Sequence, residues 1–592
     1  MKKSKYFLLL FFFLEFLNVN ASTRWTIQGE VYQIDTLSHF YVGPGTTRTI
    51  VDMKLEEGRK QRLYYTTTDL TNPDVTIKMC MAGNGVFGVE GTKANPCGDE
   101  VLSKMIKHKR EMFSGVNADF FGSVNDRRHP EIYYHIPFYG HAISDGEPYY
   151  IRNSAAENTF GFTADKKPIY GRAEYIAKVE VNGQSTNLTS VNTDRGTHYL
   201  TLYTNRLNTY HHGTRSNGWG TEVKLTIDNH PLSPGKTTIL TATEKSVANG
   251  NNKLSNMFVD NANTYILSGN GNGETFAKKI SVGDKVQITP ILTVDDQEEN
   301  NVMQMVGGMP MILRDGEILN TQNALSHLNE KCPRSTVGSS ADKSKVVMLV
   351  ADGRNMGGSG GLTSKELADV MKHVGCADAI NFDGGGSSEM YDINYGIINK
   401  PSDGQERQVI NGLFVAASNP DYMTDKTIAQ IRFKDARKIL RIEEEYTPEI
   451  LGYNAHGVLV SKTPLAGISL ECPSSTGYIR NENTFVGTCE SYFGLTAKYK
   501  GLTARIPVFV SNIYTGVESH EDEKQISVFC ADNVMYVSGV EVKQVNVYSM
   551  SGELVASGVE DKLDIANLVA GVYIVQILDA EGEIHVTKVC KK

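Results

Sequence analysis

The most informative stretch of the chain is Cys376–Ser388, which reads CADAINFDGGGSS. A mostly apolar segment, typical of a strand, ends in Asp383, and three glycines and two serines follow it. Glycine allows backbone N–H groups to come close to a ligand, and successive N–H groups in such a turn form a nest that binds anions. Three glycines alone could equally mark a tight surface turn. The residues upstream favour a site, with Asp383 beside a nest at residues 384–387.

A second strand is predicted at Val346–Val350, because a continuous apolar run is typical of a strand buried on both faces. This strand ends near Asp352, which is followed closely by Arg354. A helix should begin after Thr363, which can form a capping box with Glu366. The strand–helix–strand order predicts that the two strands pair in parallel. Two acids at neighbouring strand ends indicate a site rather than loop charge.

Two further clusters fit the same interpretation. Asn117–Gly122 reads NADFFG and places an amide and an acid against two aromatic residues. Arg334–Gly338 reads RSTVG and precedes the Val346 strand. A lone arginine is more often a surface charge, but its planar fork is the preferred binder of phosphate or carboxylate.

These motifs resemble, in order, those of the phosphodiester glycosidase family. The resemblance also includes Gly307–Pro310 (GGMP) and Gly361–Thr363 (GLT), and it extends from about Val101 to Val415. It implies hydrolysis of a sugar 1-phosphodiester, which removes an α-linked sugar and leaves a phosphomonoester. It does not specify the sugar.

The resemblance and the residue chemistry together suggest roles. Asp383 and Asp119 are the first candidates for the paired carboxylates that glycosidases use, and Asp352 is the third. Arg334 is expected to bind phosphate together with the nest. The residues expected to bind substrate are Arg334, Thr336, Asn117, Gly384, Gly385, Gly386, Ser387, Ser388 and Arg354.

Two alternatives for these residues stay open at this stage. The three acids could instead hold a structural calcium ion, because clusters of carboxylate oxygens suit hard cations; no other cofactor is expected. Ser387 could act as a nucleophile, but no histidine lies at a recognised spacing from it. No Cys/His spacing resembles a zinc site.

The length and the charge of the chain limit its function. Its 592 residues are too many for one core and predict several domains. The formal net charge of −9 argues against a nucleic-acid partner, which would require a basic patch. The resemblance implies a glycan or a sugar phosphate as the partner.

The N-terminus is typical of a secretory signal peptide at residues 1–21. Three lysines precede an apolar run from Tyr6 to Leu17, and Val19–Ala21 offers small residues for cleavage. We expect an exported protein, secreted or at the cell surface, with the periplasm as the alternative. No membrane span is expected after cleavage; a retained anchor is disfavoured because the run is short.

Export permits disulfides among the eight cysteines. Cys80 and Cys97 flank a glycine-rich loop, and Cys472 and Cys489 lie within one predicted β-domain. Both pairs are plausible bridges.

Changes of composition divide the rest of the chain. A β-rich N-terminal extension is predicted at residues 22–97, and the catalytic domain at 98–418. Residues 419–513 resemble bacterial immunoglobulin-like domains, and an acidic linker follows. Residues 524–592 resemble the C-terminal sorting domain of type IX secretion cargo, the alternative being an ordinary β-sandwich.

The sequence therefore predicts an α+β fold: a β-rich catalytic domain with a mixed sheet and a few helices, then two small all-β domains of immunoglobulin-like sandwich type. The predicted function is an exported hydrolase that cleaves the glycosidic C–O bond of a sugar 1-phosphodiester. The alternatives are a non-enzymatic glycan-binding protein of the cell surface and a phosphodiesterase that cuts the P–O bond.

Overall fold

The computed structural model describes residues 23–55, 58–86, 101–105, 111–125, 130–207, 213–255, 257–319, 326–435, 438–511, 527–531, 533–538, 540–549, 553–569, 571–580 and 584–591. The chain forms two compact units. The first extends to Asp425 and includes His456–Val458, and the second contains Lys426–Ala455 and the chain from Leu459 onward. The predicted signal peptide lies outside the described residues.

The first unit consists mainly of strands. They are Thr23–Ile27 (β1), Glu30–Gly43 (β2), Thr46–Lys54 (β3), Lys60–Asp69 (β4), Val75–Met81 (β5), Met112–Asn117 (β6), Phe121–Asn125 (β7), Tyr133–Pro137 (β8), Ala142–Ser144 (β9), Glu147–Tyr150 (β10), Ala156–Thr163 (β11), Pro168–Val181 (β12), Gln184–Asn187 (β13), Ser190–Val191 (β14), Leu200–Tyr203 (β15), Thr221–Ile227 (β16), Thr238–Val247 (β17), Thr264–Gly269 (β18), Lys285–Val294 (β19), Gln297–Glu298 (β20), Val302–Gly307 (β21), Met311–Arg314 (β22), Glu317–Ile318 (β23), Arg334–Ser339 (β24), Lys345–Ala351 (β25), Asp378–Asn381 (β26), Met390–Asp392 (β27), Gly396–Ile397 (β28) and Asn411–Ala417 (β29).

The helices of the described residues are few and short. The α-helices are Leu102–Met105 (α1), Asn272–Ala277 (α2), Ser364–His373 (α3) and Asp421–Thr424 (α4). The 3-10 helices are Ala82–Asn84, Asn205–Leu207, Ser326–Asn329, Met356–Gly358 and Gly385–Ser387. The expectation of a β-rich fold with few helices is confirmed.

A nine-stranded sheet carries the acids that end β25 and β26. Its order is β1-β2-β3-β4-β25-β24-β26-β22-β23. β24 pairs antiparallel with both β25 and β26. The expectation that β25 and β26 pair with each other is therefore wrong: they run in the same direction, but β24 lies between them. The strands of the predicted N-terminal extension, β1 to β4, continue this sheet through the pairing of β4 with β25.

Helix α3 connects β25 to β26, and it begins as the sequence predicted. Thr363 Oγ1 accepts a hydrogen bond from the Glu366 amide (3.2 Å), and the Glu366 carboxylate accepts one from the Thr363 amide (2.8 Å). The apolar face of the helix, which includes Leu367, Val370 and Met371, is fully buried. This packing fixes the crossover that brings Asp383 back to the edge where Asp352 lies.

Two more sheets complete the surroundings of the site. A five-stranded sheet has the order β28-β27-β6-β29-β5, and a thirteen-stranded sheet contains β9 to β21. The thirteen-stranded sheet is mixed, because β14 and β15 pair in parallel. β7 and β8 form a separate hairpin directly after β6. β6, β21 and β26 end close together, so segments distant in sequence meet there.

The second unit is all-β. Its strands are Gln430–Phe433 (β30), Lys438–Arg441 (β31), Glu445–Tyr446 (β32), Ile450–Tyr453 (β33), Ser469–Glu471 (β34), Gly477–Arg480 (β35), Thr484–Gly487 (β36), Ser491–Tyr499 (β37), Leu502–Ser511 (β38), Ser527–Ala531 (β39), Val534–Ser538 (β40), Val542–Tyr548 (β41), Leu554–Gly558 (β42), Lys562–Asp564 (β43), Gly571–Asp579 (β44) and Ile584–Lys591 (β45).

These strands form two cores, one from β30–β38 and one from β39–β45. In the second core, β40 packs against the sheet β42-β41-β44-β45, as in a small sandwich. Every helix of the described ranges is too short or too polar to cross a membrane.

The expected bridge between Cys472 and Cys489 is wrong, because both residues are free thiols. Each thiol donates to a different carbonyl: Cys472 to Gly477 (3.6 Å) and Cys489 to Ser475 (3.0 Å). The Cys80 thiol is buried against the sulfur of Met112, and its expected partner, Cys97, lies outside the described residues.

Candidate active site

The two leading acids come from segments far apart in sequence, and the backbone joins them. Asp119 follows β6, and Asp383 follows β26. The Asp383 amide donates to the carbonyl of Ala118 (2.9 Å), and Asn117 Nδ2 donates to the carbonyl of Asp383 (2.7 Å). The Asn117–Asp119 motif and the strand end of β26 therefore form one structural piece.

Asn117 is the centre of this piece. Its Oδ1 accepts hydrogen bonds from Ser335 Oγ (2.7 Å) and from the Glu389 amide (3.2 Å). The residue is fully buried. Both ends of the amide are thus engaged by protein groups, so Asn117 links the segments that carry the two acids. Its predicted contact with substrate stays a prediction.

Asp119 lies in a compact, buried setting. Its carboxylate accepts hydrogen bonds from the amides of Tyr139 (3.4 Å) and Gly140 (3.1 Å). Its own amide donates to Asn411 Oδ1 (2.8 Å). Burial raises the pKa of Asp119 to about 7, and nearby Asp383 adds to the rise, while the two amides and the charge of Arg152 oppose it.

Glycine is required at positions 307 and 308 because a side chain there would collide with neighbouring residues. A Cβ on Gly307 would collide with Asp119 Oδ2 and with the backbone of Gly140. A Cβ on Gly308 would lie 2.8 Å from the carbonyl oxygen of Asn381. The two glycines let the end of β21 pass close to both acid-bearing segments.

Asp383 is less buried than Asp119, because part of its surface reaches solvent. Burial raises its pKa to about 6, while the hydroxyl of Ser387, the charge of Arg407 and the Gly384 amide lower it. Asp119 and Asp383 are thus two neighbouring carboxyls whose pKa values burial raises toward neutral pH. Perturbed pairs of this kind are typical of acid–base sites.

The glycine turn is present, but much of it is used internally. The Gly385 amide donates to the carbonyl of Pro333 (2.9 Å). The amides of Ser387 and Ser388 donate to the carbonyls of Gly384 and Gly385. These three N–H groups are therefore occupied, which limits the nest that the sequence suggested. The hydroxyl of Ser388 is buried and completes no hydrogen bond among the described residues, whereas the hydroxyl of Ser387 is directed to the carboxylate of Asp383.

Two guanidinium groups lie against the glycine turn. Arg354 Nη2 is 3.0 Å from the position that a Cβ on Gly385 would take, and a Cβ on Gly386 would collide with the guanidinium of Arg407. Arg407 is half-exposed and pairs with Asp403 (Nε–Oδ2 2.7 Å). Arg354 is exposed, and its Nη1 donates to Ser402 Oγ (3.1 Å). Positive charge therefore borders Asp383.

Arg334 also lies beside the glycine turn, with its Cδ 3.9 Å from the position that a Cβ on Gly384 would take. It is only 2% exposed. Its Nε donates to the carbonyl of Leu362 (2.9 Å), and its Nη2 donates to the carbonyls of Glu330 (2.9 Å) and Leu328 (3.3 Å). Because these donors are already used inside the protein, the phosphate role predicted for Arg334 finds no support in the geometry.

Asp352 and Thr336 have internal partners as well. Asp352 accepts hydrogen bonds from Tyr64 (3.2 Å), Asn399 (3.3 Å) and the Lys400 amide (3.0 Å), and burial raises its pKa. Thr336 Oγ1 is buried and donates to the carbonyl of Ile380 (2.8 Å). Asn399 also donates to the carbonyl of Ser388 (2.9 Å), so Asp352 supports the glycine turn indirectly.

Glu389 is a fourth buried carboxyl, and no motif of the sequence points to it. It is completely buried, and its Oε1 accepts a hydrogen bond from the Arg407 amide (2.6 Å). Its Oε2 has no hydrogen-bonding partner among the described residues. Burial raises the pKa of Glu389 to about 8, helped by Glu406 and Asp403 and opposed by Arg407.

A cavity of about 310 Å³ adjoins this arrangement. It is lined by Phe121, His135, Asp403, Gln405, Glu406, Arg407 and Gln408. No cluster of three or more His, Cys, Asp or Glu side chains able to hold a metal ion exists within the described ranges. The described ranges include Asp119, Asp352 and Asp383, which were the candidates for a calcium site.

Residues 237–416 match the family model described as phosphodiester glycosidase. That range contains Asp352, Asp383 and Arg407 but not Asp119. The chain is also similar to the SPbeta prophage-derived uncharacterized protein YomE of Bacillus subtilis (strain 168), with 31% identity over 175 residues. These residues are 26% of this chain and 26% of that protein, so the chain spans about a quarter of the relative that it matches.

Among solved structures, the chain is similar to a hypothetical protein from Synechocystis, with a TM-score of 0.44 and 16% identity over 63% of this chain and 62% of that one. It is also similar to the zebrafish N-acetylglucosamine-1-phosphodiester alpha-N-acetylglucosaminidase catalytic domain, auto-inhibited by its pro-peptide, with a TM-score of 0.31 and 14% identity over 65% of this chain and 88% of that one. Such distant likenesses carry no argument about function. The family match supports a glycosidase-type hydrolase.

Proposed function

We propose that this protein is an exported hydrolase that cleaves the glycosidic C–O bond of a sugar 1-phosphodiester and releases the sugar and a phosphomonoester. The observation that carries the proposal is the meeting of Asp119 and Asp383 through Asn117 and Ala118. Two guanidinium groups border the same glycine turn. The family match over residues 237–416 adds independent support.

The chemistry of the substrate suits this set of groups. A phosphomonoester is a weak base, so its departure needs little protonation and a strong general acid is dispensable. The site must instead stabilise an oxocarbenium-like centre and position water or a nucleophile. Asp383, whose pKa is about 6, is the better anion near neutral pH. Asp119, whose pKa is about 7, is the better source or acceptor of a proton.

The phosphate requires positive charge beside these acids. Arg407 and Arg354 lie against the glycine turn with part of their surface open to solvent. An arginine fork can grip two phosphate oxygens at once. We therefore assign phosphate binding to Arg407 first and to Arg354 second, in place of Arg334.

Hydrolysis in ¹⁸O-water tests the proposal on a panel of α-linked sugar 1-phosphodiesters. We expect the label in the released sugar, as C–O cleavage requires. Label in the phosphate would mean P–O cleavage, and binding of glycans without hydrolysis would make the chain a glycan-binding protein. Asp383→Asn protein, checked for folding by circular dichroism, is the control for contaminating activity.

Export is part of the same proposal. It is supported by the lysines and the apolar run at residues 1–21 and by the resemblance of residues 524–592 to a sorting domain. Fractionation of cells producing the whole chain tests it. Full activity retained in the cytoplasm of the native host would contradict export.

A further inference from the structure

Three aromatic residues, called here the aromatic patch, lie next to Asp119. Phe120 follows it in the chain, and Phe138 and Tyr139 belong to the segment whose amides donate to its carboxylate. The ring of Tyr139 contacts both others edge to face, with centroid distances of 5.2 Å to Phe120 and 4.9 Å to Phe138. Phe138 is 52% exposed, and the other two rings are partly exposed. Exposed aromatic rings offer apolar faces on which a ligand can stack.

The backbone holds the aromatic patch against the acid. The Tyr139 amide donates to Asp119 Oδ1 (3.4 Å), and the Phe138 amide donates to the carbonyl of Phe120 (3.0 Å). Arg152 Nη1 donates to the carbonyl of Tyr139 (2.7 Å). Burial raises the pKa of Tyr139, and the charge on Asp119 adds to the rise, whereas the charge on Arg152 opposes it. The rings are thus fixed in place without being needed in the core.

The two acids have neighbours of opposite character. Asp119 adjoins the aromatic patch, whereas Asp383 adjoins the glycine turn that Arg354 and Arg407 cover. A sugar 1-phosphodiester has the same division: a pyranose ring with an apolar C–H face at one end and an anionic phosphate at the other. Aromatic rings suit the first end, and guanidinium groups suit the second.

We propose that the aromatic patch is the subsite for the sugar ring, whose C–H face stacks on Phe138 and Tyr139 while the phosphate lies toward Arg407. The anomeric carbon then lies between the two carboxyls. This inference rests on the proposed function and adds the orientation of the substrate to it.

Other exposed aromatic residues of the first unit fit this role less well. Trp219 is 42% exposed, and its carbonyl accepts from buried Arg195. Phe258 is 46% exposed. Among the described residues, no hydrogen bond or ring contact joins either of them to Asp119 or Asp383. Phe258 is therefore a matched control for an exposed ring outside the site.

Calorimetric binding of two separate probes to the full-length protein tests the inference. The probes are inorganic phosphate and a panel of methyl α-glycosides of glucose, mannose, galactose and N-acetylglucosamine, which carry no phosphate. We expect Phe138→Ala to weaken the best methyl glycoside about tenfold and to leave the phosphate affinity within about twofold. Arg407→Ala should show the reverse pattern, and Phe258→Ala should change neither affinity.

The outcomes separate this inference from the proposed function. If wild-type protein binds none of the glycosides, or if Phe138→Ala weakens both probes equally or neither, the aromatic patch is not the sugar subsite. Because binding is measured without turnover, a protein that binds both probes in the expected pattern but hydrolyses no phosphodiester would support the subsite and refute the proposed hydrolysis. Tyr139→Ala, which keeps the backbone amide on Asp119, repeats the test at a second ring.

Discussion

Glu389→Gln should make the stability of the first unit less dependent on pH. The folded protein holds a proton on Glu389 up to about pH 8, because burial raises its pKa, whereas the unfolded chain releases that proton near the ordinary value of 4.5. The wild-type protein should therefore lose stability as the pH rises from 4.5 to 8. Each pH unit in this window is worth about 1.4 kcal/mol, so the total reaches about 4–5 kcal/mol.

Glutamine is the right replacement because it removes the charge and preserves the contact. Its amide oxygen can still accept from the Arg407 amide, as Oε1 of Glu389 does at 2.6 Å. We expect the free energy of unfolding of Glu389→Gln to exceed that of wild type by an amount that grows by several kcal/mol between pH 4.5 and pH 8. Glu389→Ala should instead be less stable than the glutamine variant at every pH, because it leaves the amide unpaired and a cavity behind.

Differential scanning calorimetry of the full-length protein at a series of pH values gives the measurement. The transition of the first unit is identified by adding inorganic phosphate, which should raise its midpoint if the arginines bind anions. A constant difference between Glu389→Gln and wild type across the whole pH range would refute the reasoning. In that event Glu389 would ionise in the folded protein as it does in the unfolded chain.

The remaining predictions concern catalysis. Asp383→Asn should lower turnover by about two to three orders of magnitude with the fold intact, the scale of acid–base groups; near-normal activity in a folded variant would exclude it from the mechanism. The value of kcat/KM should fall as the pH drops through about 6, because Asp383 acts as the anion and burial raises its pKa to about 6; an unchanged kcat/KM between pH 7 and pH 5 would contradict that role. Gly307→Ala should cost about a hundredfold by displacing Asp119, while Gly360→Ala, which meets open space, should cost little; equal effects would remove the steric argument. Arg407→Lys should impair phosphodiesters far more than aryl glycosides of the same sugar, whereas Arg334→Lys should impair both alike, and the opposite pattern would return the phosphate to Arg334.

Local features of the site could be predicted because local sequence determines them. The capping box at Thr363 and the strand that ends at Asp383 depend on residues within a few positions of each other. Asp352 and Asp383 lie at the same edge of the sheet because α3 returns the chain, so that β25 and β26 run in the same direction. What the sequence could not show was the insertion of β24 between β25 and β26, because strand order depends on long-range packing that leaves no local pattern.

Arg334 shows, for a single residue, that long-range contacts cannot be predicted from a local motif. Its motif suggests a residue that binds phosphate, because arginine is suited to that role. In the structure its guanidinium donates hydrogen bonds to the carbonyls of Leu362, Leu328 and Glu330 instead. Backbone carbonyls have no sequence signature. Arg407 could not be predicted from the sequence, because its loop contains no motif. Only the fold brings its guanidinium against Gly386.

The position of Asn117 explains why distant motifs must occur together in this chain. Its side chain donates to the carbonyl of Asp383 and accepts from Ser335 and from the Glu389 amide. Aspartate would lack the donor and would add a buried charge, and leucine would leave three buried polar groups unpaired, at about 1–3 kcal/mol each. Only a carboxamide of this length satisfies all three partners at once. One buried amide therefore links the strand that precedes Asp119, the turn that follows Asp383 and the carboxyl that holds Arg407, so the acids and the proposed phosphate ligand are positioned by a single set of hydrogen bonds.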